Sequence, residues 1–247
     1  MKKILWIDIG THFAQEYKSI FGSNVIFYLK LIKRLLYTVF KDQNFLNLNE
    51  IIELIKMRNN IRKKKNYFIF IFIEANPKII SSKKIYNDAD MVFNIAITDD
   101  SEKKSFLMKL YLGNNEQLSQ GSSVYKNKKN INTKDYVLTF GVSAYYFMEL
   151  LKKELDKNLN NYNLFLRINC EGVEDSAIYA THKFFNDNFK LVLGSLKDVK
   201  EIKGDIAFKK LNQFMQNKNI KNSSFDFYID SWFEAYKKIN KLIINNN

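Results

Sequence analysis

The stretch Tyr67-Phe68-Ile69-Phe70-Ile71-Phe72-Ile73, closed by Glu74-Ala75-Asn76-Pro77, decides how this chain folds. It alternates aromatic and Ile residues with no charge until Glu74. Such a run is too short for a core helix and too apolar for a strand with one wet face, so it reads as a strand covered on both sides, as in a parallel sheet. Glu74 and Asn76 then stand at the carboxyl end of that strand, and Pro77 marks the turn. Upstream, Lys3 to Ile9 repeats the pattern and runs into Asp8-Ile9-Gly10-Thr11-His12. Downstream, Asn163 to Ile168 does so again and ends in Asn169-Cys170-Glu171-Gly172.

Between the first two strands the apolar positions take helical spacing: Phe13, Tyr17, Ile20 and Phe21, then Ile32, Leu35, Leu36, Val39 and Phe40, then Ile51, Ile52, Leu54 and Ile55. Two or three helices are expected, as a helical insertion after strand one over about residues 22–66, with Asn49 as the N-cap of the last. The basic cluster Arg58, Arg62, Lys63, Lys64 and Lys65 reads as a solvated helix end. Met91 to Ile97 and Ser105 to Tyr111 read as two strands joined in a hairpin, and the polar stretch Gly113 to Lys134 as a mobile loop over the site. Helices are expected at Phe147–Leu159, Glu174–Phe185, Ile206–Met215 and Trp232–Ile244, and strands at Lys190–Gly194 and Phe225–Ile229. Strands alternating with helices, without a repeat or a Pro/Gly linker, predict one α/β domain over residues 1–247, with a Rossmann-like, mostly parallel sheet flanked by helices.

Composition removes other classes. Of 247 residues, 46% are hydrophobic and 15% aromatic, too many core formers for a disordered chain. The single Cys170 excludes an internal disulfide and a multi-Cys zinc site, and no metal is expected. The single Pro77 excludes collagen-like and PxxP readings. The opening apolar run is cut off at Asp8 before a signal-peptide core can form, which points to a reducing, cytoplasmic setting. Lys30, Lys33 and Arg34 interrupt Val25 to Phe40, so no transmembrane segment is expected. Lys+Arg exceed Asp+Glu by 39 to 26, a formal charge of +13. The lysines are spread along a chain also crowded with Asn, Ile and Phe, so compositional skew explains this charge better than a patch for nucleic acid.

In open α/β sheets ligands sit outside the carboxyl ends of the strands. There this chain places Gly10, which permits close backbone approach, and Glu74, a carboxylate able to accept both hydroxyls of a ribose. A nucleoside-containing cofactor follows. Dinucleotide sites want G-x-G-x-x-G after the first strand, and P-loop enzymes want G-x-x-x-x-G-K-[ST]; neither pattern is present. S-adenosylmethionine carries no phosphate and needs fewer glycines.

Four stretches in order, Asp8-Ile9-Gly10-Thr11-His12, Phe72-Ile73-Glu74-Ala75-Asn76-Pro77, Asn94-Ile95-Ala96-Ile97 and Leu166-Arg167-Ile168-Asn169-Cys170-Glu171-Gly172-Val173-Glu174, resemble the markers of FkbM-type methyltransferases. The resemblance spans about residues 3–195 and implies a class I Rossmann-like fold, S-adenosylmethionine as methyl donor, and O-methylation of a sugar, glycan or small metabolite. It implies that Asp8, Gly10 and Thr11 border the methionine end of the cofactor, that Glu74 holds the ribose, and that Asn76 and Ala96 border the adenosine. Asn169 and Glu171 would face the methyl and the acceptor, with Glu171 or His12 as base. The family usually has Asp where Asn169 stands, and Asn cannot ionise. Two alternatives stay open on these residues: a methyltransferase-fold binding or scaffold protein without turnover, and a basic nucleic-acid-binding protein.

Overall fold

The computed structural model describes residues 2–40, 47–82, 84–99, 104–113, 121–224 and 229–244. In chain order its elements are β1 (Lys3–Ile9), α1 (Gln15–Phe21), α2 (Asn24–Phe40), α3 (Leu48–Lys63), β2 (Phe68–Ile73), α4 (Pro77–Ser82), β3 (Met91–Phe93), β4 (Ala96–Thr98), β5 (Ser105–Gly113), β6 (Ile131–Ser143), α5 (Ala144–Leu155), β7 (Tyr162–Ile168), α6 (Glu174–Phe185), β8 (Phe189–Gly194), α7 (Lys197–Asn217), β9 (Lys221–Ser223) and α8 (Ile229–Ile244). Six strands form one sheet in the order β3-β2-β1-β7-β8-β9, with every neighbouring pair parallel. The chain leaves β1 toward one edge and returns at β7 to build toward the other. This is the Rossmann order, and it puts the reversal between β1 and β7.

Helices cover both faces, which is why the central strands show no polar alternation. The Phe/Ile alternation of β2 instead sorts two kinds of apolar surface. Phe68, Phe70 and Phe72 join Trp6, Tyr17 and Phe165 under α1, α3 and α8, with the Trp6 and Phe165 ring centroids 4.8 Å apart. Ile71 and Ile73 join Leu5, Ile7, Leu164 and Leu166 on the other face, under α5, α6 and α7.

Two residues of the basic cluster tie the helical insertion together, Arg58 and, through Asn24 Oδ1 at 2.6 Å, Arg62. Arg58 is buried and not solvated: its guanidinium donates to Ser19 O, Gly22 O and Asn24 Oδ1 at 2.8–2.9 Å and lies 4.1 Å over the Phe27 ring. It clamps α3 to the turn between α1 and α2. The N-cap of α3 is Asn47, two residues before the expected one. Its side chain accepts from Glu50 N while the Glu50 carboxylate accepts from Asn47 N, a reciprocal box that Asn49 could not form.

The expected hairpin is absent. Asn94 ends β3, its side-chain amide donating to Glu74 O at 2.8 Å, so Met91–Phe93 stay in the main sheet while Ala96–Thr98 leave it. A second sheet of order β4-β6-β5 results, with β5 antiparallel to β6 and β4 parallel to it. Of the stretch expected as a loop, 114–120 lies outside the described residues, and Ile131 to Lys134 already belong to β6. Helix α5 starts at Ala144, directly after β6, and α7 is longer than expected because its two halves join across a break at Gly204 (φ 85). Of the strand expected at 225–229, 225–228 lies outside the described residues and Ile229 opens α8; β9 forms the sheet edge instead. No helix among the described residues is long and apolar enough to cross a membrane.

Candidate functional site at the strand-order reversal

The exits of β1 and β7 lie closer together than side chains would allow. Gly10 turns there with φ 71, and a Cβ on it would fall 2.0 Å from Asn169 O. The parallel ladder continues one step past the strands, Gly10 N donating to Ile73 O at 2.9 Å and Asn169 N to Ile9 O at 3.0 Å. Three loops therefore leave the sheet from one line, and a cavity of about 270 Å³ opens among them. That volume is at the small end of ligand sites, roughly 300–1,000 Å³. Its walls include Gly10, Thr11 and His12 from the β1 exit, Glu74 and Asn76 from the β2 exit, Ala96 from β4, and Asn169, Cys170 and Glu171 from the β7 exit.

Glu74 is 6% exposed, and both its oxygens are engaged. Oε2 accepts from His12 N and Oε1 from Asn76 N, both at 2.8 Å. Burial raises its pKa, against these backbone bonds and the more distant Arg167 charge. The bridge binds the β1 exit to the β2 exit, 62 residues apart in sequence. Thr11 adds to it by donating to Asp8 O at 2.8 Å and accepting from Ile73 N at 3.2 Å. His12 sits in left-handed backbone (φ 48), as does Glu171 (φ 59). Strain of about 1–3 kcal/mol per such residue persists where the surroundings enforce it, often at functional sites.

Asp8 is placed behind this wall, not in it. It is 0% exposed, and its Oδ1 accepts from Arg167 Nη1 at 3.1 Å. Arg167 also donates to Gly10 O at 2.6 Å and to Glu16 Oε1 at 3.0 Å, and it reaches the cavity. Burial pushes Asp8 up to about 7, opposed by the Arg167 charge and helped by Glu16. Burial also works against the Arg167 charge, but the Glu16 and Asp8 carboxylates outweigh it and raise that group further. One guanidinium shared by two carboxylates leaves an unbalanced negative charge in a buried place, and a proton on Asp8 removes it.

On the β7 side, Glu171 forms an ion pair with Lys128, a lysine only 7% exposed that also lies 3.7 Å from Asp198. Burial lowers the Lys128 pKa against the pull of Asp198 and Glu174. Asn169 follows β7 directly, lines the cavity and carries no titrating group. Cys170 lies in the loop, not in the strand; burial and then the Glu174 charge push its thiol up, so it is not poised as a thiolate. Glu174 is fully enclosed and accepts from Cys170 N at 3.1 Å and Gly172 N at 2.8 Å.

Sequence reasoning missed two buried cations, Arg167 in the cavity wall and Lys128 paired with Glu171. Arg167 had a signal: a single charge inside an otherwise apolar strand requires a buried partner. Lys128 had none, since it stands among the lysines and asparagines of a polar stretch. Among the described residues no group of three or more His, Cys, Asp or Glu side chains is placed to hold a metal ion. No family model, no curated protein and no solved structure matches this chain.

Proposed function

We propose that this chain is an S-adenosylmethionine-dependent methyltransferase acting on a hydroxyl of a sugar, a glycan or a small metabolite. The observation that carries the reading is Glu74 at the rim of the strand-order reversal, lining the cavity with each carboxylate oxygen bonded to one backbone N–H. Each oxygen keeps a second acceptor site, which suits the two donors of a ribose diol. The lone Gly10 after β1 suits a cofactor without phosphate. The resemblance of the four strand-end stretches to FkbM-type methyltransferases adds support.

On this reading Glu74 holds the ribose, Gly10 and Thr11 border the methionine end, and Asn76 and Ala96 flank the adenosine. The cofactor supplies an electrophilic methyl group. Asn169 orients the acceptor hydroxyl through its amide, and Glu171 or His12 takes the proton. Positioning is the larger effect, with effective molarities of about 10⁵ M or more, while a base adds roughly 10²–10⁴-fold. The absence of a carboxylate at Asn169 therefore slows such an enzyme without abolishing it.

Calorimetry with S-adenosylmethionine and with its demethylated product tests the proposal on the purified chain. Saturable binding at micromolar to sub-millimolar ligand is expected, and silence at millimolar concentration removes the cofactor assignment. A second reading, a binding protein that keeps the cofactor but not the chemistry, is favoured by Asn169 and by the capture of Glu171 by Lys128. Labelled methyl transfer to any member of a glycan panel excludes it.

A further inference from the structure

Helix α2 is built inside out. Its buried face is narrow, formed by Phe27, Leu31 and Thr38. Two cations flank that face half-buried, Lys30 and Arg34, the latter 4.3 Å over the Trp232 ring of α8. The side turned to solvent is apolar: Val25 is 69% exposed, Leu29 64%, Ile32 53%, Leu36 52%, Val39 46% and Phe40 80%. At 3.6 residues per turn these six fall within about 100° of arc, with Lys33 at its edge. Together they offer on the order of 600–700 Å² of apolar surface, above the few hundred Å² that a monomer ordinarily leaves in one patch.

Charge decides what covers this surface. Helix α2 carries three cations and no acidic residue, in a chain of formal charge +13. A second copy laid along the same face would set Lys33 against Lys33 with no carboxylate from α2 to offset it. An anionic surface is complementary. Beside the apolar arc, Lys30, Lys33, Arg34 and Tyr37 help line a second cavity of about 140 Å³, whose lining carboxylate, Glu16, is already bonded to Arg167. We propose that α2 seats this protein on an anionic lipid surface, with its apolar arc at the acyl boundary and a headgroup phosphate in the Lys30–Lys33–Arg34 cleft. An amphipathic helix lying in the interface binds in this way, through apolar area plus attraction to acidic lipids. The cleft shares Gln15, Glu16 and Arg34 with the candidate site, so docking brings the mouth of that site to the lipid boundary.

This inference does not rest on methyl transfer, and its test needs no cofactor. The purified full chain is sedimented with phosphatidylcholine vesicles and with vesicles containing about one-third phosphatidylserine; each basic residue near an anionic surface contributes about fivefold. At least tenfold tighter retention on the anionic vesicles is expected, weakening as salt rises. Leu29→Glu with Leu36→Glu, two side chains already in solvent, abolishes retention while circular dichroism stays unchanged. Lys33→Glu, a single surface change, lowers retention at least fivefold and serves if the double variant does not fold. Retention on neither vesicle, equal retention on both, or undiminished retention of a folded variant overturns the proposal. So does a dimer by light scattering that ignores vesicles and that Leu29→Glu with Leu36→Glu dissociates, which assigns the face to a second copy.

Discussion

Two enclosed glutamates stand at two strand exits, and each bridges two backbone amides. Glu74 receives its bonds from His12 and Asn76, joining loops 62 residues apart, and it lines the cavity. Glu174 receives its bonds from Cys170 and Gly172, no more than four residues away, and it is 0% exposed. The chemistry is the same, and the surroundings differ. Where the carboxylate is sealed in, its bonds serve the loop that carries Asn169 and Glu171, and no ligand reaches its remaining acceptor sites. Where a cavity opens beside it, the spare acceptor sites are open to a ligand.

The comparison breaks most visibly at Glu174. Glu174→Ala leaves the enclosed N–H of Gly172 and the half-buried N–H of Cys170 without their acceptor, at about 1–3 kcal/mol each, so urea denaturation should show a loss of about 3 kcal/mol. A loss below about 1 kcal/mol would mean that water reaches those amides and that the loop is not sealed.

Acidity gives the next largest effect. Burial, and then the Asp198 charge against the backbone bonds, pushes Glu174 up to about 7 from an ordinary 4.5. A carboxyl whose pKa is raised on folding binds its proton more tightly in the folded state. Its contribution is therefore fully present below about pH 4.5 and lost as pH rises through about 7, up to about 3 kcal/mol in all. Wild type should exceed Glu174→Gln in stability by more at about pH 5 than at about pH 8. A gap independent of pH would refute the assignment.

The smallest and most diagnostic change is at Glu74. Its amide partners border a cavity that water can enter, so Glu74→Ala should cost only about 1–2 kcal/mol of stability. The same change should weaken S-adenosylmethionine at least tenfold in calorimetry, and Glu174→Ala, in whatever fraction stays folded, should not. Equal effects of the two substitutions on binding would erase the distinction between them.

The residues themselves explain what could be read in advance. β1, β2 and β7 were legible because strands buried on both faces must be long apolar runs, and α6 because its acidic start and apolar stripe are local features. The hairpin was misread because β6, arriving from later in the chain, inserts between β4 and β5, and local pattern does not show such a distant partner. Asp8 and Glu74 looked equivalent as acids near strand ends. They differ by two steps along the sheet: Asp8 precedes the last residue of β1 and lies in the enclosed layer, whereas Glu74 follows the last residue of β2 and clears it. Arg58 looked like part of a solvated cluster because its three acceptors come from the distant α1–α2 turn.

By itself the amino-acid order determined the central strands β1, β2 and β7 and helices such as α6, that the sheet is parallel and doubly covered, and that polar groups collect at its carboxyl edge. These follow from periodicity and local burial, which act over a few residues. The tertiary structure alone decided that Asp8 serves Arg167, that Lys128 holds Glu171, and that α2 turns its apolar side outward. Each of these depends on groups brought together from distant parts of the chain, and desolvation and pairing act only once that distance has closed.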